Sequence, residues 1–533
     1  MEHRAPSEQT RLARSAASAG AATMTSRILG LVRDQVLASM FGAGNAMDAF
    51  NVAFRIPNLV RDLFAEGAMS AAFVPVFMRQ LASGDRSSAW RLGSNIINAL
   101  LVVTGILVVL GVVFARPLVY ALAADYAAVP GKVELTVRLT RLMLPFLTLV
   151  ALAAAMMGML NSLHRFFIPA LAPAMFNIAT IVCALLLVPV MPRFGIPPIT
   201  AIAIGALIGG VAQVLLQVPL LRREGFTYTP VLNWKQEGLR RVLMLMGPGT
   251  IGLAATQVNV FINTVLATGQ GTGAVSWLNY AFRLMYLPTG LFGVSIATAT
   301  VPAVSRHAAR DDEVGVRTTM ADGLSLMMMM NVPATVGLII LAHPIVRVIF
   351  ERRAFLPADT AATAAALQFY AIGLLGYSVV RIASPTFYAL GDSRTPVYIS
   401  IASVVANAVL NVMLVHALGY RGLALGTSIA ALFNATALLW MLRARLGGLD
   451  DRRVLSSLAR IAAASLLMGT AAVVVNSALE ASMGGDTFIR QAGRLLFTIV
   501  TALLVLAVAA HFLRIREFRE AAALALKRSG PRA

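Results

Sequence analysis

Charged side chains interrupt the first apolar stretch of the sequence. The segment TSRILGLVRDQ, residues 25–35, places two arginines and an aspartate within an otherwise apolar run. Residues three or four apart share one face of a helix, so the polar residues of this region form a single stripe. The stripe consists of Thr23, Ser26, Arg27, Gly30, Arg33 and Asp34. Because a guanidinium binds phosphate oxygens bidentately and stays charged at physiological pH, the stripe indicates a site for an anionic phosphate group.

The next apolar stretch carries a second polar stripe, with Arg61 and Glu66 alongside it. Its members recur every three or four residues and are Asp48, Asn51, Arg55, Asn58 and Asp62. Two polar stripes on neighbouring helices predict one hydrated cavity. The side chains expected to bind a pyrophosphate there are Arg27, Arg33, Arg61 and, from the second half of the chain, Arg283. The residues expected to support the cavity are Ser26, Asp34, Asp48, Arg55, Asn58 and Glu66.

The same charges also have a purely structural interpretation. An arginine in the middle of a membrane helix costs about 2.5–3.5 kcal/mol on insertion scales, and Arg27 is too far from either helix end to snorkel. In a static network, nearby carboxylates would neutralise the arginines, namely Asp34, Asp48, Asp62 and Glu66. Arg55, Arg79 and Arg306 are also consistent with anchors at helix ends. The sequence leaves both interpretations open.

The elements that position these residues are membrane-spanning helices. Of 533 residues, 58% are hydrophobic and 13% are charged, which is unlike a soluble globular protein. Apolar runs of about 20 residues, each long enough to cross a hydrocarbon core, recur along the chain. We predict an all-α polytopic membrane protein with about fourteen spans. They lie at 15–41, 46–78, 92–122, 139–163, 167–191, 197–221, 239–268, 274–305, 319–349, 361–390, 395–417, 421–444, 456–479 and 489–513.

An internal repeat organises the chain. NVAFR at 51–55 recurs as NYAFR 228 residues later, and AFVPVFMRQLASGD at 72–85 recurs as ATVPAVSRHAARDD 227 residues later. Two matches in the same order predict two homologous halves of six spans each. Because six is even, the halves share one orientation, as in transporters with parallel repeats. The predicted parts are an N lobe at 1–230 and a C lobe at 231–448, and the two lobes are expected to enclose a central cavity. Residues 449–533 are expected to form two extra spans and a basic tail.

The repeat separates charges that the fold needs from charges that serve another purpose. Arg27 corresponds to Ala255 in the second half. Arg33 corresponds to Phe261. The second half therefore forms its homologous spans without these cations, which favours a functional role for the arginines of the first half.

The net charge of +20 reflects membrane topology more than an affinity for nucleic acid. Basic residues cluster in alternate loops on the side of the amino terminus, which by the positive-inside rule predicts that both termini are cytoplasmic. The cations on the opposite side are Arg138, Arg141, Arg352 and Arg353. With one cysteine, Cys183, and no histidines at ligand spacing, neither a disulfide nor a metal site is expected. No cofactor is expected.

The segments TSRILGLVRDQ, MDAFNVAFRIPNLVRDLFAEGAMSAAFVP and YAFRLMYLPTGLFGVSIATATVP carry a resemblance to a known family. They resemble the MurJ (MviN) lipid II flippases of the multidrug/oligosaccharidyl-lipid/polysaccharide exporter superfamily, and the similarity runs through nearly the whole chain. The resemblance implies a transporter of the bacterial cytoplasmic membrane, and not an enzyme. Its expected substrate is lipid II, the undecaprenyl-pyrophosphate-linked peptidoglycan precursor, moved to the outer face by alternating access. The other expected partner is the lipid bilayer, the cell-wall synthesis machinery is a candidate, and we expect a monomer.

The resemblance also assigns roles to particular residues. In the family, arginines that line the central cavity and are required for function match Arg27, Arg33, Arg61 and Arg283. Acidic residues matching Asp48 and Glu66 belong to the same region, and the last two spans are associated with a groove for the lipid tail. This sequence departs from some members at Phe282 and Tyr286, where they carry acidic residues. A carboxylate partner for Arg283 is therefore not expected here.

Two other classes of function remain open from the sequence. A flippase for another polyprenyl-pyrophosphate-linked oligosaccharide, or a cation-coupled exporter of the same superfamily, would share the fold. An exporter of cations would need carboxylates in its cavity, whereas arginine dominates this one. An intramembrane phosphatase or polymerase would need a general base and usually an extramembrane catalytic loop, for which only Asp48 and Glu66 and short loops are available.

Overall fold

The computed structural model describes residues 8–62, 69–482 and 487–519, and in these residues the regular structure is helical. Backbone contacts group the chain into two compact units, Met1–Ser276 and Trp277–Ala533. The helices of the first unit are α1 (Glu8–Phe41), α2 (Asn45–Arg61), α3 (Met69–Ala82), α4 (Arg86–Val113), α5 (Ala115–Ala123), α6 (Lys132–Met143), α7 (Phe146–Ser162), α8 (Phe167–Leu187), α9 (Thr200–Arg223) and α10 (Glu237–Thr268).

The second unit contains the remaining helices, and the boundary between the units falls within the first turn of α11. These helices are α11 (Ala274–Pro288), α12 (Val294–Ala308), α13 (Glu313–Ile340), α14 (Ala342–Phe350), α15 (Pro357–Ile372), α16 (Leu374–Ala389), α17 (Arg394–Leu418), α18 (Tyr420–Leu446), α19 (Asp451–Ser482) and α20 (Phe488–Phe512). A π-helical turn, Thr289–Gly293, connects α11 to α12. The predicted lobe boundary at 230/231 remains a prediction that rests on the repeat.

The all-α membrane architecture is confirmed, but the count of about fourteen spans is not. Ten segments of the described residues are long and apolar enough to cross a membrane. The four other predicted spans correspond to α1, to α2 with α3, to α10, and to α11 with α12. The four helices α2, α3, α11 and α12 have 17, 14, 15 and 15 residues, so each is shorter than the roughly 20 residues that a span needs.

The third predicted span, 92–122, differs from the structure at both ends. Its helix, α4, begins at Arg86 because Asp85 caps it: the Asp85 side chain accepts a hydrogen bond from the Ser88 N–H at 3.0 Å. The same helix ends at Val113, because Phe114 leaves helical geometry, and α5 follows as a separate short helix. The first turn of α4 is polar, so a hydropathy window does not detect where the helix begins.

The repeat is visible in the helices themselves. The pair α4 and α13 has 28 residues in each helix, and the pair α5 and α14 has nine. Asp312 caps α13 as Asp85 caps α4, since its carboxylate accepts from the Gly315 N–H at 2.8 Å. The sequence alignment of Asp85 with Asp312 therefore pairs residues with the same structural role.

Aromatic side chains form the core of the first unit around α3, α4 and α7. The ring of Phe77 lies 5.2 Å from that of Phe73 and 5.6 Å from that of Trp90, measured between centroids. Gly158 lets α7 lie close to the Phe73 ring, because a Cβ at that position would be 2.9 Å from the ring. Small residues that let helices approach closely are a main source of stability for helices in lipid.

The two extra carboxy-terminal helices pack within the second unit. Helix α19 contacts α13 and α20, and α20 also contacts α14. At Gly469 of α19 a Cβ would lie 2.6 Å from Ile340 and 2.8 Å from Val336, both on α13. The helix pair that has no counterpart in the first half is therefore seated on α13 through a glycine.

Candidate functional site

Helix α8 holds α1 where the arginine stripe lies. The Asn177 Nδ2 of α8 donates a hydrogen bond to the Ser26 carbonyl of α1 at 2.9 Å. Gly30, one turn further on, lies beside the same amide, which would be 3.6 Å from a Cβ at this position. An asparagine on one helix thus fixes the neighbouring helix through its backbone, and part of the polar stripe faces protein.

Arg33 is held in place by its sequence neighbour and by α8. Its side-chain Nε and Nη2 donate to Asp34 Oδ1 at 3.1 and 2.8 Å. The guanidinium carbon lies 5.1 Å from the centroid of the Phe176 ring. Arg33 is 8% exposed and Asp34 5% exposed, so the pair is buried. A carboxylate and an aromatic face together offset the charge of Arg33 and orient the plane of its guanidinium.

Arg61 repeats this arrangement at the end of α2. Its Nε and Nη2 donate to Asp62 Oδ1 at 2.9 and 2.7 Å. Both side chains are more exposed than in the first pair, at 25% for Arg61 and 34% for Asp62. The sequence LVRD occurs at 31–34 and again at 59–62, a signal of this shared pairing that the sequence analysis did not use.

Arg27 has a different environment from the other two arginines. It is half-buried on α1. In the part of the chain that the structure describes, Arg27 forms neither an ion pair nor a hydrogen bond through its side chain. A membrane helix rarely retains a cation without compensation. Arg27 thus lacks, among the described residues, the carboxylate partner that Arg33 and Arg61 each have.

Asp48 is fully buried and lies in a separate polar cluster of the first unit. Its Oδ2 accepts from Lys132 Nζ at 3.1 Å and from the Gly273 N–H at 2.7 Å. The other oxygen accepts from Ser276, from the N–H at 3.1 Å and from the hydroxyl at 2.7 Å. The Lys132 ammonium also lies 4.0 Å from the centroid of the Tyr126 ring. Four donors, one of them the Lys132 ammonium, make Asp48 the point that joins α2, α6 and the first residues of α11.

The other predicted supporting residues are placed less distinctly. Arg55 is half-buried and, like Thr23, interacts with another residue. The Asn58 Oδ1 is buried and accepts no hydrogen bond from the described residues. Glu66 lies outside the described residues. The roles of these side chains, and the shared cavity for Arg27, Arg33 and Arg61, therefore remain predictions.

In the second unit, an arginine that the sequence analysis missed lies beside the helix of Arg283. Arg283 is exposed on α11. One turn later, the Tyr286 hydroxyl accepts a hydrogen bond from Arg381 Nη2 of α16, and the Arg381 guanidinium carbon lies 5.5 Å from the Tyr286 ring centroid. Phe282 stacks on Tyr286 with centroids 5.7 Å apart. A lone arginine within the apolar run 361–390 was the signal for Arg381.

Comparison with known proteins identifies relatives over most of the chain. The family model described as "Lipid II flippase MurJ" matches residues 37–492. A protein of Bdellovibrio bacteriovorus named "Probable lipid II flippase MurJ" is 35% identical over 515 residues, which covers 95% of this chain and 94% of the relative. A protein of Burkholderia cenocepacia named "Lipid II flippase MurJ" is 34% identical over 431 residues, covering 79% of this chain and 82% of the relative.

Solved structures give the same result. A structure titled "Lipid II flippase MurJ, inward closed conformation" matches with a TM-score of 0.75 and 26% identity, and the match covers 93% of this chain and 99% of that one. An inward-facing multidrug resistance transporter of the MATE family, from the MOP superfamily, matches with a TM-score of 0.67 over 82% of this chain and 99% of that one. At 17% identity, the second match concerns the fold alone.

Proposed function

The chain belongs to the lipid II flippase MurJ family, and we propose on this premise that its first-unit arginines bind the pyrophosphate of lipid II during transport. It is a multi-pass transporter of the bacterial cytoplasmic membrane and not an enzyme. The alternatives of another oligosaccharide-lipid flippase or a cation-coupled exporter are not favoured, because the family model and the curated relatives carry the name of lipid II flippases.

The observation that carries this proposal is the environment of Arg27. It is a guanidinium in the middle of the first predicted span, on α1, and it pairs with none of the described carboxylates. An arginine retained at such a depth has a cost that a phosphate ligand offsets, because phosphate oxygens match the planar N–H fork of arginine. Arg27 is therefore the primary phosphate ligand in this proposal.

Arg33 and Arg61 have a complementary role. Each is oriented by the carboxylate that follows it in sequence, at 2.8 Å for the Arg33–Asp34 pair and 2.7 Å for the Arg61–Asp62 pair. Preorganised donors reduce the entropy lost when a ligand binds. The aspartates also lower the local positive charge in the absence of substrate, so that the helices tolerate three arginines.

The second unit supplies further candidate phosphate ligands. Arg283 is exposed on α11, and Arg381 is oriented by its hydrogen bond to Tyr286. A ligand shifts a conformational equilibrium only as far as it binds one state better than another. Tighter binding of the pyrophosphate in one state would thus bias alternating access toward that state. We also propose that both termini are cytoplasmic, on the basis of the positive loops, and that the working unit is a monomer.

A transport assay in cells that depend on this protein tests the proposal. After depletion, the quantity to measure is the amount of lipid II that an enzyme added only to the outer face can cleave. We expect the cleavable pool to fall while total lipid II rises. Expression of the wild type or of Arg86→Ala in the depleted cells should restore the cleavable pool, whereas expression of Arg27→Ala should not. Arg86 is a suitable control because it is exposed at the start of α4. An unchanged outer pool after depletion would contradict the proposed substrate.

A further inference from the structure

The second unit contains a polar cavity that the proposed transport mechanism does not use. A small cavity of about 50 Å³ lies where α14, the end of α19 and the start of α20 meet. The polar side chains that line it are His343, Arg347, Asn476, Glu480, Gln491 and Arg494. At the first residue of α20, the centroid of the Phe488 ring lies 4.2 Å from the guanidinium carbon of Arg352. The lining thus combines two arginines, a histidine and two amides with one carboxylate, that of Glu480.

Arg494 is the side chain that distinguishes this cavity from an ordinary surface cleft. It is half-buried and lies inside the apolar helix α20, which is long enough to span a membrane. Although Glu480 lines the same cavity, Arg494 forms no ion pair or hydrogen bond with the described residues. Asn476, on the facing helix α19, likewise has no hydrogen-bond partner there.

The neighbouring arginine is already neutralised. Arg347 donates from Nε to Glu351 Oε1 at 3.2 Å, one turn later on the same chain. Arg494 is therefore the lining arginine without an ion pair among the described residues, and Glu480 is the carboxylate that shares the cavity with it. An arginine near the end of a membrane helix can extend its guanidinium into water, away from other polar groups of the protein. Arg494 instead shares a concave site with the amides of Asn476 and Gln491, which are hydrogen-bond donors.

Converging guanidinium and amide donors between membrane helices suit a particular ligand chemistry. Phosphate oxygens accept several such hydrogen bonds, and basic pockets between membrane helices recognise phosphate-bearing lipid headgroups. We propose that this cavity binds the phosphate group of a membrane lipid. The phosphate belongs either to an anionic phospholipid or to the pyrophosphate of the transported polyprenyl lipid, and the test below distinguishes these two sources. The site goes beyond the proposed function, which rests on the arginines of α1 and α2.

The test is native mass spectrometry of the full-length protein in detergent. Phosphatidylglycerol is titrated against diacylglycerol with the same acyl chains, which lacks the phosphate. We expect the wild type to retain phosphatidylglycerol in preference to diacylglycerol, and Arg494→Gln to bind it about tenfold more weakly, the loss that one charged hydrogen bond typically causes. Arg353→Gln is the matched control, since it removes one exposed cation beyond the end of α14 that does not line the cavity.

A second variant and a competitor complete the design. Asn476→Leu removes a lining amide without changing the net charge and should also weaken retention, even if Arg494→Gln proves unstable. Undecaprenyl pyrophosphate that displaces the Arg494-dependent phosphatidylglycerol would identify the transported lipid as the source of the phosphate. Failure to displace it would identify the phospholipid. Equal retention by the wild type, Arg494→Gln and Asn476→Leu would overturn the proposal, as would an equal loss in Arg353→Gln.

Discussion

The Lys132 ammonium lies 3.1 Å from a carboxylate oxygen of Asp48, and the side chains are 2% and 0% exposed. Removing one partner of such a buried ion pair typically costs about 3–5 kcal/mol, because the other charge is left without compensation. We therefore expect Lys132→Met to lower the melting temperature of the purified protein substantially. Lys235→Met, at an exposed lysine, should leave it unchanged. A Lys132→Met protein as stable as the wild type would mean that Gly273 and Ser276 suffice for Asp48.

Substitution of Arg27 distinguishes the geometry of its side chain from its charge. Arg27→Ala should abolish transport with normal insertion, and Arg27→Lys should also transport poorly, because an ammonium lacks the planar fork that binds phosphate bidentately. The measurement is the pool of lipid II that can be cleaved at the outer face. Wild-type activity of Arg27→Lys would show that only the charge matters, and full activity of Arg27→Ala would exclude the phosphate contact.

The pair formed by Arg381 and Tyr286 gives a prediction for the second unit. Arg381→Gln should reduce transport strongly, since it removes a candidate phosphate ligand, whereas Tyr286→Phe should reduce it less, since it removes only the hydroxyl that orients the guanidinium. The same outer-face assay measures both. Arg421→Gln changes an exposed arginine of the same unit and serves as the control. If Arg381→Gln transports like this control, Arg381 has a structural role alone.

The capping aspartates make a prediction about pH. Hydrogen bonds from the Ser87 hydroxyl and the Ser88 N–H hold the pKa of Asp85 below its usual value. Bonds from the Gly315 N–H and the His307 ring lower the pKa of Asp312 in the same way. A carboxyl group whose pKa is lower in the folded state stabilises that state above its unfolded pKa of about 3.9, and this contribution is lost as the pH falls through the folded pKa.

Alanine substitution of either cap should therefore lower the melting temperature at neutral pH, and the difference from the wild type should narrow as the pH falls below about 4. Thermal unfolding measured over a pH series tests this expectation. Glu237→Ala, at an exposed carboxylate in the first turn of α10 that forms no capping bond, is the control. A stability difference that stays constant with pH would show that the ionised carboxylate is not the stabilising form.

Two glycines in membrane helices should respond differently to the same substitution. A Cβ at Gly376 of α16 would lie 2.6 Å from the backbone carbonyl of Ala431 on α18, whereas Gly105 of α4 has no atom within 4 Å of that position. Gly376→Ala should destabilise the protein by about 1–3 kcal/mol because backbone must move apart. Gly105→Ala should be neutral or slightly stabilising. Equal melting temperatures for the two variants would contradict the close contact of α16 with α18.

Local signals allowed much of the fold to be predicted from the sequence. The match of Asp85 with Asp312 was correct because a capping aspartate acts within one helical turn, and the all-helical membrane class follows from apolar runs. The broken spans were harder. Hydropathy does not reveal that α4 ends at Val113, or that a π-helical turn follows Pro288.

The polar partners of the site were not predictable, because they depend on tertiary contacts. Lys132 is 84 positions from Asp48, and no periodicity links the two. The Asn177 amide reaches the Ser26 backbone across 151 positions. By contrast, the Arg33–Asp34 pair is adjacent in sequence and repeats in a second LVRD segment, so it was available to sequence reasoning. The positions of Arg27 and Arg33 on one helix stripe follow from their spacing alone.

The seating of α19 on α13 has a consequence for how lipids meet this protein. Val336 and Ile340 are the α13 residues that lie against Gly469 of α19. Subtracting the 227-residue offset of the repeat, they correspond to Val109 and Val113 of α4. Those two valines are 63% and 62% exposed. In the first half this face of α4 is exposed, whereas in the second half the equivalent face of α13 is covered by α19. The backbone is duplicated, but the surface that faces the lipid is not. A lipid that approaches from the bilayer therefore meets a different surface on each half before it reaches any charged residue.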